Sequence, residues 1–291
     1  MKRREFLFGA AAAAGAMSAF AANGASGGTA KPVQEKGRLR IAHLTDPQFG
    51  FGPGKSAAKR YAADLARFER EIEIVNDIKP DLALITGDLT NNYNDVTKDW
   101  PRLLGKFKVP LAVAPGNHDL GNSITKPVRD RYLSVFGYDY KAFDVKGWHV
   151  IVGNTQFWRK TDLVEEKARY EAWLKDECAK AKAFGGRVLF AGHIPPFADR
   201  PNEGDSYENY PKAGRVARME MYRAAGARFF LAGHTHRFIA HGWKDLTILN
   251  PETTSTNFDS RPHGFRLFDI ADKYDYAYNF VKVFPAKEIR K

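Results

Sequence analysis

The chain has 291 residues, with 45 Lys+Arg, 34 Asp+Glu, eight His and one Cys. Its length supports a sizeable core, its 44% hydrophobic and 13% aromatic content excludes a disordered chain, and the single Cys178 excludes an internal disulfide framework and any cysteine-based zinc module. The net charge of +11 permits an acidic partner without choosing between nucleic acid, membrane and phosphate ester.

Residues 1–21 read as a signal peptide. Lys2, Arg3 and Arg4 precede an apolar run from Phe6 to Ala21, and Ala19-Phe20-Ala21 places small residues where a signal peptidase cleaves. The run is too short and too rich in Ala and Gly for a stable membrane span. Arg3-Arg4-Glu5-Phe6-Leu7 resembles the bacterial twin-arginine export signal, so the expected partner is that export machinery and the expected location is the periplasm. Export by that route follows folding, which lets metals be acquired in the cytoplasm. Residues 22–36 are small and polar, a flexible tether, and residues 37–291 are expected to form a single domain.

The first buried strand is Leu39–Thr45. Gly52-Pro53-Gly54-Lys55-Ser56 imitates a phosphate loop, but Phe49 stands where that pattern requires its first glycine. Tyr61, Leu65, Phe68, Ile72 and Val75 then recur every three or four residues, an amphipathic helix that stops near Lys79-Pro80. Strands follow at Leu82–Thr86, Leu111–Ala114 and Val150–Gly153. A second helix covers 165–183 and ends at Gly185-Gly186. Val188–Ala191 is a strand, 213–225 a helix, and Phe229–Ala232, Leu246–Leu249, Phe265–Ile270 and Tyr276–Val283 are strands. Strand-helix alternation predicts an α/β fold, and so many strands predict two stacked sheets flanked by helices.

Five polar motifs sit just after predicted strands: Asp46-Pro47-Gln48, Gly87-Asp88, Gly116-Asn117-His118-Asp119, Gly192-His193 and Gly233-His234-Thr235-His236. Strand ends of α/β sheets are where ligand sites form. Carboxylate and amide oxygens with imidazole nitrogens suit Mn, Fe, Zn or a similar divalent ion. A lone Gly-Asp is usually a turn and a lone buried His usually a packed core residue. The convergence of all five marks a site. His43, His149 and His241 fall outside the motifs and read as structural.

In this order the motifs resemble the calcineurin-like metallophosphoesterase superfamily, whose pattern runs D-x-H, GD, GNH[D/E], GH, GHxH. The resemblance covers residues 39 to about 270 and implies a four-layer α-β-β-α fold, a double β-sandwich flanked by helices. Asp46-Pro47-Gln48-Phe49-Gly50 departs from D-x-H and is similar to the subgroup containing calcineurin-like phosphoesterase domain-containing protein 1, as are Gly116-Asn117-His118-Asp119-Leu120-Gly121-Asn122, Asn154-Thr155-Gln156-Phe157 and Pro262-His263-Gly264. That subgroup is described as protein serine/threonine phosphatases, an activity that an exported bacterial protein need not share.

The resemblance implies two divalent ions (Mn, Fe, Zn or Mg). Asp46, Asp88 and His236 match ligands of the first, with Gln48 where a His would stand. Asp88, Asn117, His193 and His234 match ligands of the second, so Asp88 would bridge. Gln48 offers only a neutral amide oxygen, which loosens the first site. The implied reaction is attack by a metal-activated hydroxide on a phosphate ester, with His118 protonating the leaving alkoxide. Asp119 either holds the His118 ring or caps the loop. Asn122, Gln156, Arg237, Arg261 and His263 are candidate substrate contacts, with loop packing the alternative for Arg261 and His263.

The loop Pro195–Pro211 and the segment Phe51–Ser56 are expected at the pocket rim. The expected enzyme is an exported phosphomonoesterase acting on a small-molecule or protein phosphate ester. Alternatives are a phosphodiesterase acting on cyclic nucleotides, nucleotides or phospholipid headgroups, and a non-catalytic metal-binding module. Lys and Arg are spread along the chain with no nucleic-acid-binding motif, so specific nucleic-acid binding is not expected.

Overall fold

The computed structural model describes residues 37–52, 56–159, 161–272 and 274–283; the expected signal peptide and tether lie outside them. In chain order the elements are β1 (Leu39–Leu44), α1 (Ala57–Ile78), β2 (Leu82–Ile85), α2 (Val96–Leu104), β3 (Leu111–Val113), α3 (Asn117–Leu120), α4 (Lys126–Phe136), β4 (Lys141–Val145), β5 (Trp148–Val152), α5 (Val164–Ala181), β6 (Val188–Ala191), α6 (Arg215–Ala224), β7 (Ala227–Leu231), β8 (Ile239–Trp243), β9 (Leu246–Asn250), β10 (Gly264–Ile270) and β11 (Tyr276–Lys282). The first sheet runs β11-β10-β1-β2-β3, with β1, β2 and β3 parallel. The second runs β4-β5-β6-β7-β9-β8, with β5, β6, β7 and β9 parallel and antiparallel strands at both edges.

Alternation along each strand builds two cores. Ile41, Leu84, Val150, Leu189, Phe229, Leu231 and Phe268 pack between the sheets, where the Phe229 and Phe268 rings meet edge-on at 5.0 Å. Each such buried side chain stabilises the fold by roughly 1.5–3 kcal/mol. The odd-face neighbours Leu44, Ile85, Ile151, Phe190 and Phe230 pack with helix residues Phe68, Trp100, Tyr170 and Tyr222. Helices thus cover the outer faces of two facing sheets, the four-layer α/β arrangement expected.

Helix α1 ends at Lys79, which takes a left-handed conformation before Pro80. The edge strands β4 and β8 carry no clear apolar alternation, since Lys141, Asp144 and Gly242 interrupt them and most of their residues are partly exposed. Helices α2 and α4 are equally faint in the sequence. The first contains Pro101, and the second buries Tyr132 alone.

His43, His149 and His241, which read as structural, have structural partners. The His43 ring lies between Tyr278 Oη at 2.8 Å and Thr86 Oγ1 at 3.0 Å. His149 Nδ1 meets Asp144 at 2.7 Å, and the His241 ring stands edge-on to Phe197. No helix among the described residues is long and apolar enough to cross a membrane.

Candidate active site

The motifs gather at the C-terminal ends of β1, β2, β3, β6 and β7, drawing on both sheets. Backbone bonds fix the loops to one another. Asp46 N–H donates to Gly87 O at 3.0 Å, Gln48 N–H to Asp88 O at 2.8 Å, and Gly233 N–H to His193 O at 2.8 Å. Thr86 Oγ1 donates across the sheets to Ala232 O at 3.0 Å. Two glycines are required by space alone. A Cβ on Gly116 would stand 2.1 Å from Asp88 Oδ1, and one on Gly233 2.0 Å from Thr45 Oγ1.

Five residues of the motifs hold left-handed backbone: Asp46 (φ 47°), Gln48 (33°), Asp88 (51°), His234 (75°) and His236 (51°). Such conformations cost of order 1 kcal/mol or more each and concentrate at functional sites.

Two trios of ligand atoms, each within 4.8 Å, emerge: Asp88, His193 and His234, and Asp46, Asp88 and His236. Asp88 belongs to both. Its Oδ2 lies 3.3 Å from His193 Nε2, and its Oδ1 accepts from His118 N–H at 2.8 Å. Asn117 Oδ1 and His234 Nδ1 each lie 3.1 Å from His193 Nε2. Asp46 Oδ2 accepts from Thr45 Oγ1 at 2.6 Å and from His234 N–H at 2.9 Å. Its Oδ1 has no hydrogen-bond partner and stands 3.4 Å from His236 Nε2. Gln48 is buried beside this cluster, and its Oε1 is also without a partner.

Each of the three imidazoles has one nitrogen against a backbone carbonyl. His193 Nδ1 meets Thr86 O at 2.7 Å, His234 Nε2 meets Tyr207 O at 2.6 Å, and His236 Nδ1 meets Thr256 O at 2.6 Å. A carbonyl only accepts, so these nitrogens carry protons. The opposite nitrogens are the ones able to give a lone pair.

Without a metal, a proton takes the His193 Nε2 position that a cation would otherwise occupy. Burial alone would push the His193 ring down, yet the Asp88 carboxylate lifts it to about 9. Burial works to raise Asp88, and His193 overcomes it and holds Asp88 well below the usual carboxylate range. Burial, then the neighbouring His193, drives His234 far down. The cluster draws positive charge onto one of its own nitrogens. Unpartnered carboxylate and amide oxygens, oriented imidazole lone pairs and a shared carboxylate form a donor set that fits divalent metal ions.

His118 is half-buried at the edge of a cavity of about 390 Å³ lined by Asn91, Asn92, Tyr93, Asn94 and Asn122 among others. Its Nδ1 lies 2.9 Å from Asn91 O. Asp119 does not hold that ring. Its carboxylate accepts from Gly116 N–H at 2.7 Å and Leu89 N–H at 2.8 Å, so of the two roles expected for it the loop cap is the one observed. Burial and then the Asp88 charge raise the Asp119 carboxyl to about 7.

Asn122 lines the His118 cavity. Gln156 is buried with both amide atoms unpartnered. Arg237 pairs with Glu208 of the rim loop. Arg261 instead pairs with Glu252 at 3.2 Å and Asp259 at 3.3 Å and covers the Phe238 ring, the packing role that was its alternative. The His263 ring has a buried, unpartnered Nδ1 and belongs to neither ligand trio.

Two site residues escaped the sequence reading. The rim loop is a built arch: Arg215, fully buried, donates to the carbonyls of Pro201, Glu203, Gly204 and Tyr210. The arch sets Tyr207 over the site, its hydroxyl 2.6 Å from Asn117 Nδ2 and its ring 4.8 Å from that of His234. Arg159 donates to Tyr207 O, stacks under the Tyr207 ring and brings Nη2 to 3.3 Å from His234 Nε2. The loop's position after His193 pointed to the rim, but nothing local singled out these two.

A family model described as calcineurin-like phosphoesterase matches residues 39–238. The chain is 26% identical over 269 residues to the serine/threonine-protein phosphatase CPPED1 of Homo sapiens, covering 85% of each chain. It is 24% identical over 205 residues to a probable cyclic nucleotide phosphodiesterase of Vesicomyosocius okutanii, covering 69% of this chain and 82% of the relative. Among solved structures it resembles a dimetal phosphatase from Danio rerio at a TM-score of 0.58 and 13% identity, covering 84% of this chain and 98% of the other.

Proposed function

The chain belongs to the calcineurin-like phosphoesterase family and is a metal-dependent phosphoric ester hydrolase, and from that premise we propose a phosphomonoesterase that works through two divalent ions. Asp46, Gln48, Asp88 and His236 would hold the first ion; Asp88, Asn117, His193 and His234 would hold the second. The observation that carries this reading is the membership of Asp88 in both ligand trios. When bound, the ions supply Lewis acidity, which activates water and draws charge from the phosphoryl oxygens.

The chain's own groups do the rest. The carbonyls of Thr86, Tyr207 and Thr256 keep the three imidazoles in the tautomers that present a lone pair. Asn91 O accepts from His118 Nδ1–H, so in the imidazolium form the second proton sits on Nε2, which hands it to the departing alkoxide oxygen and returns to the neutral ring. The Arg159 guanidinium, beside His234, offers positive charge to phosphoryl oxygens. The similarity to a protein serine/threonine phosphatase supports the monoester reading. A diester reading is supported by the similarity to a probable cyclic nucleotide phosphodiesterase.

The test is metal-stripped protein reconstituted with Mn, Fe, Zn or Mg and offered phosphomonoesters, diesters and phosphopeptides. Monoester turnover above diester turnover is expected. Preference for diesters would establish the second reading, and hydrolysis of nothing with any metal would revive a binding module.

The same proposal covers residues 1–21 as a twin-arginine signal, 22–36 as a tether, 37–291 as one domain, and the periplasm as its location. The charged start and Arg3-Arg4-Glu5-Phe6-Leu7 support it. Replacing Arg3 and Arg4 by Lys should trap the precursor in the cytoplasm; normal export would refute it.

A further inference from the structure

We infer that this site takes a small phosphate ester whose alcohol part carries a planar ring, held against Phe51 and Phe258; the inference rests on the phosphoesterase reading. Large exposed apolar side chains are few among the described residues, and three of them, Tyr93, Tyr207 and Phe258, surround the motifs. Phe258 is 58% exposed. Its ring nevertheless has a fixed place. Its N–H donates to His236 O at 2.7 Å, and the ring stacks on His236 at 4.8 Å and 22°.

Phe51 completes the wall, 5.0 Å from the His236 ring and 6.1 Å from Phe258. Phe51 also stands 6.1 Å from the ring of His118. An alcohol oxygen that takes a proton from His118 must lie within hydrogen-bond reach of that ring. The group attached to that oxygen is therefore next to the Phe51–Phe258 wall. Neighbouring rings open to solvent beside His118 and His236 offer a substituent a face to cover, and aromatic faces favour planar rings over saturated groups of equal size.

The cavity that His118 lines limits the class further. Besides His118 itself, the cavity of about 390 Å³ is lined by asparagines, Tyr93 and Gly121, without a carboxylate, lysine or arginine. It has the size of a small-ligand pocket, and its amides suit hydroxyls or other neutral polar groups.

The test compares two non-hydrolysable phosphonates on the Mn-loaded full chain by calorimetry. 2-Phenylethylphosphonate is planar at its end; 2-cyclohexylethylphosphonate is of similar size and apolarity but is not. The phenyl compound should bind about tenfold more tightly, the effect of one good ring stack. In Phe258→Ala and Phe258→Leu the two should differ by less than about threefold, with unchanged circular dichroism as the folding control. Equal binding in the parent chain, or a preference that survives both variants, would overturn the inference. Turnover of 2-phenylethyl phosphate, measured alongside, separates the two readings. Turnover without ring discrimination removes the wall alone, whereas discrimination without turnover supports the wall and removes the hydrolase mechanism.

Discussion

The carbonyl oxygen of Tyr207 accepts from His234 Nε2 at 2.6 Å. The hydroxyl of the same residue takes the Asn117 amide at 2.6 Å. One rim residue thereby orients two of the four groups proposed for the second metal. Tyr207→Phe removes the Asn117 contact and keeps the carbonyl. It should weaken the second metal by about tenfold, as loss of an outer partner does elsewhere, and leave the first unchanged. Metal retained after dialysis against graded chelator checks this; equal retention at both sites would count against it.

His118 lines the open cavity and belongs to neither ligand trio. His118→Ala should keep both metals. Turnover of alkyl phosphates should fall roughly 10²–10⁴-fold, the usual scale of general acid catalysis, and that of an activated aryl phosphate much less. A uniform loss across leaving groups would argue for a different role.

Gln48 places an unpartnered amide oxygen where an imidazole nitrogen would be a stronger donor. Gln48→His should slow loss of the first metal under chelator challenge. Identical metal occupancy of parent and variant would remove Gln48 from the ligand set.

Glu71 lies buried in α1, between the first two motifs in the sequence. Burial raises its carboxyl from 4.5 to about 8, against the opposing Thr254 hydrogen bond and Arg67 charge. The folded chain then holds this proton more tightly than the unfolded chain. Stability from this group is complete below about pH 4.5 and falls as pH rises toward about 8, by up to about 1.4 kcal/mol per pH unit. Glu71→Gln should flatten that decline. Urea midpoints at about pH 5 and about pH 8 test it; parallel declines in parent and variant would exclude Glu71 as the source.

Much of the site was legible because its residue types carry the chemistry and its strand ends are marked by apolar runs. Asp46, Asp88, Asn117, His193, His234 and His236 all follow such runs, and the structure brings them together. Asp119 was ambiguous because a carboxylate after a histidine can reach the ring or turn back to the chain. Here it turns back three residues to Gly116 N–H. Tyr207, Arg159 and Phe258 lie on irregular segments. Their relation to the site arises from contacts across 27, 75 and 22 positions, to His234 for the first two and to His236 for the third, and no local period encodes such pairings. The edge strands β4 and β8 stayed hidden for a related reason: partial exposure erases the apolar signature.

The two halves of the ligand set come from different sheets. Asp46, Asp88 and Asn117 follow β1, β2 and β3, whereas His193, His234 and His236 follow β6 and β7. The sandwich is therefore a caliper. Its jaws carry the oxygens on one side and the imidazole nitrogens on the other, and the packed layer that includes Phe229 and Phe268 lies between them. A change of volume in that layer resets the jaw before it touches any ligand. A large-to-small change at Phe229 or Phe268 should therefore loosen the grip on metal as well as lower stability.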